Sequence, residues 1–144
     1  MADDQNALEL NKLNADIQGK IAFMLITATT ASIAYILTQI KNEEWNALIN
    51  FPIFSLIMLG LSFMFGCSYM KNQAQVYGVN CMLLQIHNDK TLSKNTKGLL
   101  EKFEKHSNKS GTYSLFQYLT FIIGVMSYAI YVLITIYIKT NSLT

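Results

Sequence analysis

The side chains best suited to chemistry are two histidines and two cysteines. His87 lies two residues from Asp89, and His106 two residues from Glu104. Such a pair can begin a metal site, but a zinc centre needs three or four ligands, and no third has metal spacing here. Cys67 and Cys81 are too few for a disulfide framework. On one continuous helix they would stand about 21 Å apart, too far to pair. The chain has no arginine, and it carries no P-loop, dinucleotide fingerprint or nucleophile elbow. Arginine-dependent nuclease and glutathione-transfer chemistry are thereby excluded. The sequence gives no catalytic residue, no metal ligand set and no cofactor site.

The remaining functional candidates are uncharged polar residues at helical spacing. Gln117, Thr120, Gly124, Ser127, Tyr128, Tyr131 and Thr135 recur every three or four residues. Thr27, Thr30, Ala34 and Thr38 repeat the pattern earlier, and Ser55, Ser62, Gly66 and Tyr69 form a thinner stripe between them. Small and hydroxyl residues let membrane helices approach closely and hydrogen-bond across their interface. The stripes read as helix interfaces, within one chain or between copies. Alternatively, one stripe lines a pore built by several copies, because three helices are too few to enclose a conduit. A lining of Thr, Ser, Gln and Tyr is poorly selective, since ion-selective filters use carbonyl or charged rings.

Helices inside a bilayer must carry these stripes. The chain has 144 residues, 51% hydrophobic and only 14% charged, with one proline. Its charged residues are confined to 1–20, 41–50, 71–114 and 139–144, which leaves 21–40, 51–70 and 115–138 uncharged. That partition excludes an ordinary soluble domain, a disordered tail and a disulfide-rich scaffold. A helix needs roughly 20 residues to cross about 30 Å of hydrocarbon, and each uncharged stretch meets that length. Lys20, Lys41, Lys71 and Lys139 stand at the span edges, with Trp45, Phe51, Tyr69, Tyr113, Phe116 and Tyr137 near them. Edge lysines snorkel and edge aromatics anchor at headgroups. The expected fold is an all-α integral membrane protein with three transmembrane helices and a cytoplasmic helical extension between the second and third.

Lysine counting sets the orientation. Nine lysines fall in the N-terminal segment and 71–114, against Lys41 and Lys139 on the other side. The positive-inside rule then puts the N-terminus and 71–114 in the cytoplasm and the C-terminus outside. The first span reads as retained rather than as a signal peptide, because its approach is acidic and its apolar run too long. Leu8, Leu10, Leu13 and Ile17 predict that its helix starts near residue 4. Pro52 suits the first turn of the second helix.

Between the second and third spans, Val76, Val79, Leu83 and Ile86 recur at spacings of 3, 4 and 3. This predicts that the second helix runs on to about residue 87. A short helix over about 92–106, with Leu92, Leu99, Leu100 and Phe103 on one face, and a loop over Ser107–Gly111 complete the segment. Val76, Val79, Leu83, Ile86, Leu99 and Phe103 are the candidate coupling surface for a cytoplasmic protein partner. The segment holds seven lysines against three acids, which fits positive-inside topology or contact with anionic headgroups. Nucleic acid is not an expected partner, because arginine and aromatic–basic interleaving are both lacking.

The stretch Ala15-Asp16-Ile17-Gln18-Gly19-Lys20 enters the first span through an acid and a lysine. After it come a tight turn and a second helix that continues past the membrane. Over residues 10–90 this resembles small bacterial transmembrane effectors of anti-phage defence, the Pycsar transmembrane and SLATT-type proteins. The resemblance implies a homo-oligomeric, non-enzymatic effector of the bacterial inner membrane that perturbs or permeabilises the bilayer. Spans without an ionisable residue, and without inverted halves, argue against an ion-coupled carrier. The alternative is an accessory or assembly subunit of a larger membrane complex.

Overall fold

The computed structural model describes residues 2–41, 47–88 and 96–141. These form three long helices, α1 (Ala2–Ile40), α2 (Asn50–Asn88) and α3 (Thr96–Asn141), with a 3-10 turn at Ala47–Ile49 leading into α2. Each contains a stretch long and apolar enough to cross a membrane. The described residues are thus almost entirely helical, with three candidate membrane spans. Among the described residues there is no strand, no cis peptide and no residue with positive φ. The tight turn expected at 42–46 lies outside the described residues.

One expectation is corrected. Ser107–Gly111 is not a loop between a short helix and the third span. It is helical, and α3 is continuous over 46 residues. Serine, asparagine and glycine are weak helix formers, so composition suggested a break. Burial shows why there is none. Phe103, His106, Ser110, Tyr113 and Gln117 are all buried or half-buried, at spacings of 3, 4, 3 and 4. A helix that keeps one face packed through a weak stretch gains more from packing than it loses in propensity.

The same spacing runs along every helix. On α3 it continues through Thr120, Gly124, Ser127 and Tyr131, and on α2 it takes Pro52, Ser55, Leu59, Ser62, Gly66 and Tyr69. On α1 it takes Ala15, Gly19, Ala22, Ile26, Thr29, Ile33, Ile36 and Ile40. A strict 3–4 alternation averages 3.5 residues and winds packed helices into a left-handed supercoil.

The chain divides into two compact units. One joins Met1–Met24 to Gly66–Ser114, and the other joins Leu25–Phe65 to Leu115–Thr144. The first holds most of the charge. Within it, the Asp16 carboxylate and Lys20 ammonium pair at 2.7 Å on the surface of α1. The Asn72 Nδ2 donates to Ser68 O at 2.8 Å, and the Asn72 Oδ1 lies 3.0 Å from the His106 Nδ1. The first bond fixes which amide atom faces the ring, so Nδ1 carries the proton and donates. Val76, Val79, Leu99 and Phe103 are half-buried in this unit. The side chains of Leu83 and Ile86 lie outside the described residues.

The second unit reverses the polarity of a soluble core. Its fully buried side chains include Thr29, Ser55, Ser62 and Gln117, alongside Leu59. Its exposed ones include Phe54, Ile57, Met64, Leu119, Met126, Leu133 and Ile136. In water that arrangement would forfeit most of the hydrophobic driving force. In hydrocarbon it costs nothing outside, and it lets polar groups pair inside.

Candidate functional site

The polar seam between α2 and α3 is built around a point of close backbone approach. Gly124 sits there because nothing larger fits: a Cβ would stand 2.9 Å from Leu59 Cγ, 3.1 Å from its Cδ2 and 3.3 Å from its backbone nitrogen. With the helices this close, side-chain hydroxyls reach the backbone of the opposite helix. Ser55 Oγ donates to Gly124 O at 2.6 Å, and Ser62 Oγ to Gln117 O at 2.9 Å. Ser127 Oγ donates to Phe51 O at 3.3 Å. Three bonds thus cross the seam, each ending on a carbonyl already used by its own helix. In lipid such a bond has no water to compete with it, although measured values average only about 0.6 kcal/mol.

The threonines turn inward on their own helices. Thr120 Oγ1 lies 2.7 Å from Phe116 O and 3.2 Å from Gln117 O, and Thr135 Oγ1 donates to Tyr131 O at 2.9 Å. Thr29 Oγ1 donates to Leu25 O at 2.7 Å. Such i−4 bonds satisfy a hydroxyl where no water reaches it. Aromatic rings fill the flanks. Tyr35 meets Tyr128 edge-on at 6.0 Å between centroids, Tyr128 lies 5.9 Å from Tyr131, and Phe65 lies 5.6 Å from Phe116. Edge and tilted pairs at these distances are favourable.

Two buried polar atoms of α3 are exceptions among the described residues. Ser110 Oγ has no protein partner, and Gln117 is 1% exposed with no protein acceptor for its Nε2. The Gln117 backbone oxygen, by contrast, takes bonds from both Ser62 and Thr120.

Of the residues that the sequence singled out, the structure brings Gln117, Thr120, Gly124, Ser127 and Tyr131 together as one buried stripe of α3, with Thr135 half-buried at its end. Ser55, Ser62, Gly66 and Tyr69 are buried on α2. Thr27, Thr30 and Thr38 do not join them. They are exposed, with Thr30 Oγ1 bonded to Ile26 O at 2.9 Å and Thr38 Oγ1 to Tyr35 O at 2.6 Å. The buried face of α1 is instead Ala22, Thr29 and Ile36, with Ile26 and Ile33 half-buried. Sequence reasoning followed the hydroxyls and missed this face. Its signal was the unbroken 3–4 spacing from Ala15 to Ile40.

The other chemistry-bearing residues stay apart. Cys67 is a free, exposed thiol. The side chains of Cys81 and His87 lie outside the described residues. Among the described residues, no three of His, Cys, Asp and Glu gather as a metal site. An apolar groove of about 510 Å³ also opens between α2 and α3, lined by Phe51, Phe54, Ile122, Met126 and Ile130. Ile122, Met126 and Ile130 lie roughly half a turn or less around α3 from Tyr128, on its lipid-facing surface. No protein-family model, curated protein or solved structure matches the chain.

Proposed function

We propose that the chain is a non-enzymatic membrane effector that assembles as a homo-oligomer and permeabilises its bilayer. One observation carries the reading: a seam of hydroxyl, amide and glycine positions runs through apolar-coated helices. In the closed protomer the hydroxyls are satisfied by helix carbonyls. In an oligomer they exchange those partners for groups on neighbouring copies, and Gln117, Thr120, Ser127, Tyr131 and Thr135 line a wet, weakly selective path. The lysine asymmetry supports an inner-membrane protein with the N-terminus and 71–114 in the cytoplasm. There the lysine-rich segment would meet anionic lipid or a protein partner that triggers assembly. The likeness of residues 10–90 to anti-phage effectors suggests defence as the setting.

Expression in cells loaded with a membrane-potential dye tests the proposal. Depolarisation on induction, together with a symmetric multimer by mass measurement in detergent, is the expected outcome. A fully polarised membrane in every induced state counts against it.

A second reading, an accessory subunit of a larger membrane complex, draws on the outer face of α1. Thr27, Thr30, Ala34 and Thr38 form an exposed small-residue stripe there, the kind of surface on which another helix packs. Under this reading, purification in mild detergent brings down other membrane proteins in fixed ratio.

A further inference from the structure

Past Lys71, α2 leaves its apolar stretch yet still carries two apolar faces, and its own chain covers only one. Val76 and Val79 are half-buried, whereas Met70, Ala74 and Tyr77 are exposed on the other side of the helix, Met70 by 39% and Tyr77 by 49%. An apolar stripe facing lipid needs no explanation, but one set among Lys71, Asn72, Gln73 and Gln75 does. This second face keeps a seven-residue rhythm along the continuous α2 helix. Gly60, Cys67, Ala74 and Cys81 recur at intervals of seven, and all are small. Three residues after each of the first three come Phe63, Met70 and Tyr77, all large. Alternate steps of three and four are the seam of a coiled coil. Phe63 is 39% exposed, and Cys67 is exposed as well. Two glycines add an independent sign. Nothing stands within 4 Å of where a Cβ would be at Gly60 or Gly78. The chain's own packing thus gives no reason for a residue type that weakens a helix interior. Gly60 belongs to the series and Gly78 adjoins Tyr77, where a neighbouring helix would come close.

We propose that α2 of one copy packs along this face against α2 of a second copy, as a parallel pair whose seam runs from Gly60 to Cys81. The proposal rests on the homo-oligomeric reading for its second copy and names the contact through which that assembly forms. Copies inserted by the same charge rule share one orientation. A rotation axis along the membrane normal then sets each residue level with its own counterpart, so the face meets itself. The small positions let the helices approach, and Phe63, Met70 and Tyr77 fill the layers between them. The flanks permit the pairing. In a parallel pair, Gly66 of one copy stands beside Lys71 of the other, and Gln73 beside Gly78, so no like charges meet.

The chain supplies its own probes, because Cys67 and Cys81 both fall in the small-residue series. Two cysteines join only when their Cα atoms come within about 4.4–6.8 Å. The full chain in its membrane is oxidised with copper phenanthroline, with one native cysteine at a time replaced by serine. Covalent dimer is expected from Cys67 alone and from Cys81 alone. With both replaced, Gln75→Cys, exposed on a different face, should give none. Dimer from Gln75→Cys as readily as from Cys81, or from neither native cysteine, overturns the interface. A second arm leaves the thiols aside. Tyr77→Lys sets like charges against each other across the seam and should lower the particle mass in detergent while helical ellipticity holds. Gln75→Lys should leave the mass unchanged. A mass unmoved by Tyr77→Lys refutes the seam. The two ideas fail differently. A multimer by mass without cross-linking removes this interface and keeps the homo-oligomer, whereas a monomer by mass removes both. Cross-linked dimer without depolarisation keeps the interface and removes the permeation reading.

Discussion

Gly124 is where a single atom decides whether α2 and α3 meet. Leu59 is fully buried beneath it, and its backbone nitrogen as well as its side chain stands within 3.3 Å of where a Cβ would be. Gly124→Ala therefore forces a shift of a few tenths of an ångström, and Gly124→Leu parts the helices. We expect about 1–3 kcal/mol of destabilisation for alanine, the usual range for overpacking, and more for leucine. Denaturing-detergent titration in micelles measures it. Ser55→Ala and Ser62→Ala remove single crossing bonds and should each cost about 0.5–1.5 kcal/mol. Ser55 has the shorter bond, to the carbonyl of Gly124 itself, so its loss should be felt more. If both alanine variants unfold at the concentration of the unchanged chain, the crossing hydroxyls contribute nothing. In the first unit, Asn72→Leu removes the partner of His106 Nδ1 and should lower stability by about 1 kcal/mol in the same assay.

At the scale of elements, the continuity of α3 is the main finding. Gly111 lies in its interior with nothing within 4 Å of where a Cβ would stand. Gly111→Ala should therefore stabilise the helix by about 1 kcal/mol, whereas Asn108→Pro should cost about 3 kcal/mol and lower helical ellipticity. A flexible connection at 107–111 would leave both variants unchanged. The three apolar stretches were legible because charge is so sharply partitioned along the chain. The α3 stripe was legible because Gln117, Thr120, Ser127 and Tyr131 differ in type from the Leu, Ile and Val around them. Two things were harder to read. The face of α1 was obscured because its buried positions are mostly Ala and Ile, which look the same facing lipid or facing a neighbour, while exposed threonines there satisfy themselves on their own helix. The junction at 107–111 was obscured because propensity is local, whereas the packing that overrides it runs on from Gln117 and Tyr113.

For the molecule as a whole, the outside-in polarity of the second unit sets the solvent. Met64, Leu119, Met126 and Leu133 present apolar surface where a water-soluble protein presents charge. Met126→Lys, at the middle of the third span, should impede insertion by about 2.5–3.5 kcal/mol, read as loss of the chain from the membrane fraction. Lysine at Gly98, in the charged part of α3, should leave that fraction unchanged. External protease on intact cells should spare the stretch between Asp89 and Lys109 and cut it only after the membrane is opened. The same reversal has a thermal consequence. A water-soluble domain owes its curved stability profile, and its tendency to fail in the cold, to apolar groups that meet water on unfolding. When α2 and α3 separate in a bilayer, Leu59 exchanges one hydrocarbon neighbour for another. The heat capacity of that separation should be near zero, so the strength of the helix pair should fall almost linearly on heating and show no optimum near room temperature.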